Sequence, residues 1–335
     1  MTEIRTKAVS YDAFGPAAEV LRSGEHVLPA PEAGEVCVEL AFSGVNPSDV
    51  KARAGSRPGV TRPPFAQIIP HSDGAGVICR VGEGVDPARL GERVWIWNGQ
   101  WQRAFGTAAS HIVLPATQAV PLPDGISAEV GAALGIPGLT AAHTVFAGGD
   151  ISGQTVLVQG GAGTVGYLAV QLAKSAGARV IATAQGSGLA RAEAAGAGAV
   201  VDYNADTIVD QILAANDGQL VDRIIEVEFG RNIATDTAVI APNGTIAAYG
   251  SAKDMTPILP FYPLLFKAVT IDIALIYLLH EQERQRAIQH LHDALNRGAL
   301  EIPVAEIFPL DATHAAHEAV ERGGRAGTIL IDVKG

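Results

Sequence analysis

The spacing of apolar residues changes period along this chain, and the change divides it in two. Val36, Val38 and Leu40 alternate with Cys37 and Glu39, the period-two signature of a half-buried strand. Turn residues then recur at Gly55, Gly74, Gly76, Gly82, Gly84, Gly91 and Gly99, with Pro58, Pro63, Pro64, Pro70 and Pro87 among them. Short strands so often interrupted predict a small β-barrel. Gly74-Ala-Gly76 imitates the opening of a nucleotide motif. Cys79 stands where a third glycine would be needed, so the pair reads as a β-turn before a strand over Val77–Val81. Pro121–Gly125 marks a linker, and Ser127 is a plausible N-cap for the helix that follows.

Beyond the linker the pattern becomes an alternation of strands and helices. Thr155–Val158 is a β-branched run, and Val165, Leu168, Ala169 and Leu172 follow at helical spacing. Arg179–Ala184, Ala199–Val201, Arg223–Val227 and Thr245–Tyr249 read as further parallel strands. The predicted class is α/β, a doubly wound Rossmann sheet over residues 125–269 joined to a barrel over residues 1–124. The apolar stretch Val269–Leu279 is interrupted by Asp272 and is too short to span a bilayer.

Between the first strand and its helix lies Gly161-Ala-Gly163-Thr-Val-Gly166, a G-x-G-x-x-G motif in the context that gives it meaning. Gly161 is expected to make the tight turn. Gly163 would admit a pyrophosphate to the backbone, and Gly166 would allow close helix–strand packing. Ala162, Thr164 and Val165 complete this dinucleotide-binding turn, with the helix dipole favouring an anion. An NAD site places a carboxylate about 20 positions further on, but no Asp or Glu occurs between Arg179 and Ala192. Ala184 ends the second strand, and Ser187 and Arg191 follow it, a hydroxyl and a guanidinium suited to a 2′-phosphate. The expected cofactor is NADPH. Tyr203 could reach the adenine, and Tyr249-Gly250-Ser251 ends a strand where ligands bind in such sheets; for either tyrosine a packing role is the alternative.

Composition narrows the class further. The 335 residues are 48% hydrophobic and 18% charged, suited to folded α/β material. A net charge of −11 argues against broad binding to nucleic acid or to acidic membranes. The chain has two cysteines, Cys37 and Cys79, so no disulfide framework or four-cysteine zinc site is expected. No apolar h-region follows the first charges, and the expectation is a cytoplasmic protein.

Several segments in order resemble a known family. They are Ser43–Pro47, Pro70–Gly76, Val81–Val85, Gly91–Val94, Ile136–Ala141, the glycine turn at 159–166, and His317–Val320 followed by Gly327–Leu330. Together they resemble the medium-chain dehydrogenase/reductase superfamily, in its zinc-free quinone oxidoreductase (zeta-crystallin-like) branch. The resemblance implies that the barrel is GroES-like, and that residues 270–335 return to it. It also implies that Thr140 and the backbone at Ala274 and Leu275 lie near a nicotinamide, and that Asn46 hydrogen-bonds a substrate oxygen. An amide that merely satisfies the turn before Pro47 is the alternative for Asn46.

The metal branch of that superfamily uses Cys and His ligands in the segments matching Ser43–Asn46 and Pro70–Gly74. This chain has Ser43, Asn46 and Ser72 there, with His71 out of register. His290, His292, His314 and His317 form no known ligand motif, so no metal is expected. Relatives often carry tyrosines shortly after the Asn-Pro pair, whereas Lys51 and Arg57 occupy those neighbourhoods here. Lys51 is either a proton donor or a surface lysine. Trp95, Trp97 and Trp101 either line an aromatic-accepting cleft or fill the barrel core. The expected activity is hydride transfer to a quinone or an α,β-unsaturated carbonyl in an interdomain cleft, by a homodimer paired through the Val269–Ile273 edge. An NADPH-binding redox sensor or structural protein with little turnover is the alternative.

Overall fold

A computed structural model describes residues 3–56 and 59–335; Arg57 and Pro58 lie outside the described residues. Two compact units are present. One comprises the chain up to Ile136 together with Ile302–Gly335, and the other is Pro137–Glu301.

The first unit is mainly antiparallel. β1 (Ile4–Ser10) pairs with β2 (Arg22–Leu28). A seven-stranded sheet contains β3 (Glu35–Val45), β4 (Asp73–Val81), β5 (Arg93–Ile96), β6 (His111–Pro115) and β7 (Ala119–Pro121). Its core gathers Val36, Val38, Leu40, Ile78, Val94, Ile112 and Leu114, the inward members of the alternation. Gly74 and Gly76 do not form a turn. Both lie inside β4, and a Cβ at Gly76 would come 2.0 Å from the Glu39 carbonyl oxygen, so close strand approach explains the glycine. Trp95 and Trp97 are buried, in keeping with their packing alternative, and Trp101 is half-buried.

The second unit holds a six-stranded, wholly parallel sheet. In chain order its strands are β8 (Thr155–Val158), β9 (Arg179–Ala184), β10 (Ala199–Asp202), β11 (Val221–Glu226), β12 (Ile240–Ala248) and β13 (Thr270–Ile273). In space they run β10-β9-β8-β11-β12-β13. All four residues of β8 are buried, as expected of a central strand covered on both faces. With β8 counted first, this is the 3-2-1-4-5-6 order of a doubly wound dinucleotide fold, whose crevice opens between β8 and β11.

The unit boundaries differ from those expected at 124/125 and 269/270. Ser127 does cap the helix Ala128–Gly131, but that helix packs on β4 and β5 and so belongs with the first unit. Residues 270–301 stay with the second, because β13 pairs in parallel with β12 and the helix Glu281–Asn296 packs on Leu139–Phe146. The chain returns at β14 (Val304–Pro309) and β15 (Thr328–Asp332), where Ile329, Leu330 and Ile331 pair with Val45, Gly44 and Ser43.

Candidate active site

In the second unit, the carboxyl ends of the parallel strands bring most of the expected cofactor residues to one edge. The turn after β8 differs from expectation in one respect. Gly160 is the left-handed residue, at φ +71°, and Gly161 is not. Gly161 instead packs closely, since a Cβ there would lie 2.7 Å from the Ala182 Cβ. At Gly166 a Cβ would come 2.2 Å from the Gly160 carbonyl oxygen, so any side chain would displace the turn. Gly163 occupies the N-cap of the helix Thr164–Ser175, with no side chain closing it. A bare helix N-terminus behind a glycine cradle fits a pyrophosphate.

Arg191 reaches this turn from the helix Gly188–Ala195. Its Nε donates to the Ala162 carbonyl at 2.9 Å, and its guanidinium lies 4.3 Å from the centroid of the Tyr167 ring. The guanidinium is therefore fixed beside the turn. Ser187 is exposed and caps no helix N–H. Tyr203 is half-buried, and its backbone N–H donates to the Ala184 carbonyl, which joins the ends of β10 and β9.

Backbone bonds also join the other strand ends. The Tyr249 N–H donates to the Glu226 carbonyl, Phe229 to Gly250, and Ala274 to Ala248. A Cβ at Gly250 would lie 2.4 Å from the Val227 carbonyl oxygen. Ser251 ties its loop to the helix Phe229–Val239, accepting from the Gly230 N–H at 2.8 Å and donating to the Asp254 carbonyl. Ala274 is buried, Leu275 half exposed, and Thr140 buried in the helix Leu139–Phe146.

A buried network behind the glycine turn escaped the sequence reading. The Gly160 N–H donates to Thr183 Oγ1 at 3.1 Å. Thr183 donates to Gln159 Oε1 at 2.7 Å, and Gln159 Nε2 donates to Asp236 at 2.9 Å. Asp236 lies beside Glu226, and both are fully buried. Burial raises the pKa of both, and the charge of Glu226 raises that of Asp236 further. Nothing in a local motif pairs residues 226 and 236 with 159 and 183.

In the first unit, Asn46 begins the helix Pro47–Arg53 and forms a capping box with Asp49, whose carboxylate accepts the Asn46 N–H at 2.8 Å. Its side-chain amide donates to Asp73 Oδ2 at 2.8 Å. Asp73 is wholly buried and also accepts the Ile136 N–H at 2.9 Å. Gly135 makes room for this approach, since a Cβ there would lie 2.1 Å from Asp73 Oδ1. Burial pushes the Asp73 carboxyl well up, against the pull of its N–H donors. Asp73 stands in the Pro70–Gly76 segment that carried the family likeness, which was the available signal for it. Lys51, on the same helix as Asn46, is exposed.

In the sequence His71 stands out of register with the ligand position, and His317 belongs to no ligand motif. They form a buried pair instead, Nε2 to Nε2 at 2.8 Å. His71 Nδ1 lies 2.9 Å from Ser43 Oγ, Ser43 lies 2.8 Å from Thr107 Oγ1, and Thr107 donates to the Asp73 carbonyl at 2.6 Å. Because the Thr107 proton is committed there, Ser43 donates to Thr107 and His71 Nδ1–H to Ser43. His317 Nε2–H then donates to His71 Nε2. This single order of protons leaves only the acceptor lone pair of His317 Nδ1 unmatched, the one buried ring nitrogen here without a partner. Among the described residues, no three His, Cys, Asp or Glu side chains are grouped to hold a metal ion. None of the described helices is long and apolar enough to cross a membrane.

Comparison with known proteins agrees with this geometry. Residues 32–124 match the alcohol dehydrogenase GroES-like domain, and residues 164–293 match the zinc-binding dehydrogenase family. Quinone oxidoreductase from Rattus norvegicus is 27% identical over 330 residues, covering 97% of each chain. A mycobacterial protein solved in complex with NADPH has a TM-score of 0.84 at 25% identity, with 97% of this chain and 99% of that one covered. An NAD-dependent alcohol dehydrogenase has a TM-score of 0.84 at 28% identity, with 98% and 99% covered.

Proposed function

This chain belongs to the medium-chain dehydrogenase/reductase superfamily, and we propose that within it the protein is an NADPH-dependent, zinc-independent reductase of quinones or α,β-unsaturated carbonyls. The observation that carries this reading is the Asn46–Asp73 pair. An amide locked by a buried carboxyl occupies the segment where metal-dependent relatives place a ligand. The rat relative bears the name quinone oxidoreductase, which supports the acceptor class. A site without a strong Lewis acid suits an acceptor that is already electron-poor.

The nicotinamide supplies a hydride when bound. The residues have separate tasks. The backbone of Gly160–Gly166 and the first turn of its helix hold the pyrophosphate. Arg191, fixed on Ala162 and Tyr167, and the exposed Ser187 take the 2′-phosphate, which supports NADPH over NADH. Tyr203 packs on the adenine. Thr140 and the backbone at Ala274 and Leu275 border the nicotinamide. Asn46 has two amide N–H groups; Asp73 takes one and orients the other to hydrogen-bond the acceptor oxygen. Lys51 is the candidate proton donor in this reading.

We also propose a homodimer. β13 is an edge of the six-stranded sheet and carries Ile273, 79% exposed. Ile258, Phe261, Tyr262 and Phe266 are also exposed in the segment just before it, making an apolar surface that a second copy would cover.

The test is NADPH oxidation in the presence of a chelator, with a small quinone and a conjugated enone offered separately and NADH as control. The expected result is acceptor-dependent oxidation that survives chelation and prefers NADPH. Activity lost on chelation would overturn the zinc-independent reading, and equal use of NADH would overturn the cofactor assignment.

A further inference from the structure

The chain contains two cysteines, Cys37 and Cys79, and the site above uses neither. They lie on the adjacent antiparallel strands β3 and β4. The register pairs Val36 with Val81 and Cys37 with Arg80, then resumes with Val38 opposite Ile78. Cys79 is therefore the extra residue of a β-bulge. In an unbroken ladder it would oppose Val38 and project to the face away from Cys37, since side chains alternate with period two. The bulge turns it back to the Cys37 face. There it sits beside the Cys37 thiol, and its Sγ donates to the Cys37 carbonyl oxygen at 3.4 Å.

Their surroundings differ in a way that assigns roles. Cys37 is fully buried with Ile4 and Leu28, and Cys79 packs against that cluster while staying partly exposed. The neighbouring Cys37 thiol holds the Cys79 thiol below its ordinary range, and the Cys79 thiol together with burial holds Cys37 above it. An accessible sulfur with thiolate character beside a protonated partner suits attack by the first and resolution by the second.

We propose that Cys37 and Cys79 are a hydroperoxide-oxidisable dithiol that closes to a cross-strand disulfide between β3 and β4. The Cys79 thiolate attacks the outer oxygen of a hydroperoxide. The O–O bond breaks, an alcohol (water, for hydrogen peroxide) leaves with a proton, and Cys79 becomes a sulfenic acid. The Cys37 sulfur then attacks Cys79, the S–O bond breaks, and water leaves with the Cys37 proton. Two thiols supply the two electrons that reduce one hydroperoxide.

The experiment is intact-mass measurement of the folded full-length chain after brief treatment with hydrogen peroxide, followed by alkylation. The expected product is lighter by about 2 Da, with neither thiol open to alkylation, a Cys37–Cys79 peptide link, and full reversal by dithiothreitol. Cys79→Ser abolishes the loss of mass, and Cys37→Ser leaves a Cys79 sulfenic acid that dimedone traps. A wild-type chain that stays unmodified, only gains oxygen, or links solely to another chain overturns the proposal. The wild-type mass and Cys79→Ser decide the matter even if Cys37→Ser fails to fold.

Discussion

Asn46 Nδ2 donates to Asp73 Oδ2 across 2.8 Å, at a carboxyl with no exposed surface. That bond fixes which way the amide faces, and Asp73 also accepts the Ile136 N–H. Asp73→Ala removes both acceptances at once. Losing them costs about 1–3 kcal/mol of stability, read by urea unfolding. We expect kcat/KM for the acceptor to fall at least about tenfold, with NADPH affinity unchanged. Asp73→Asn keeps a carbonyl acceptor and recovers part of the loss. A variant that weakens NADPH binding equally would refute the positioning role.

The pair His71 and His317 makes the fold sensitive to acid. Burial holds His71 at about 3 and His317 well below the ordinary imidazole range. Both are neutral when folded, while the unfolded chain takes up protons near pH 6.5. The stability they contribute is present above that pH and is lost as pH falls toward the folded values. Each histidine adds a slope of up to about 1.4 kcal/mol per pH unit in that window. His317→Gln can still donate to His71 and removes one titrating ring. Urea midpoints at pH 7.5, 6 and 5 should fall less steeply for the variant than for the wild type.

Arg191 bonds the glycine turn through Ala162. In Arg191→Gln we expect KM for NADPH to rise about tenfold, the scale of one charge-assisted hydrogen bond at a partly exposed site, with KM for NADH little changed. Equal weakening of both cofactors would mean that Arg191 supports the turn and does not read a 2′-phosphate.

Gly166 has no room for a methyl group, its Cβ position being 2.2 Å from a backbone oxygen. Gly166→Ala should abolish detectable NADPH binding by fluorescence titration. Circular dichroism should still show a folded chain, because the helix itself tolerates alanine well.

Ile273 offers a direct test of the dimer. A charge on that exposed edge strand should block pairing with a second copy. Size-exclusion with light scattering should find Ile273→Asp monomeric where the wild type is dimeric at micromolar concentration. A wild-type monomer would refute the proposal.

Local signals were enough for much of this molecule. The period-two run at Val36–Leu40, the shift to strand–helix alternation after residue 155, and the glycines around 161–166 each depend on neighbours a few residues apart, so they are visible in one dimension. From them follow the parallel sheet, the barrel-like unit before it and the dinucleotide turn. Tertiary structure alone decided the rest. It placed the left-handed turn at Gly160, kept β13 with the parallel sheet through its pairing with β12, and paired Glu226 with Asp236 and His71 with His317. The bulge that turns Cys79 toward Cys37 belongs with these. Burial and hydrogen bonding between residues distant in sequence are set by packing, and a buried polar group takes whichever partner the fold brings to it. No spacing along the chain encodes that choice.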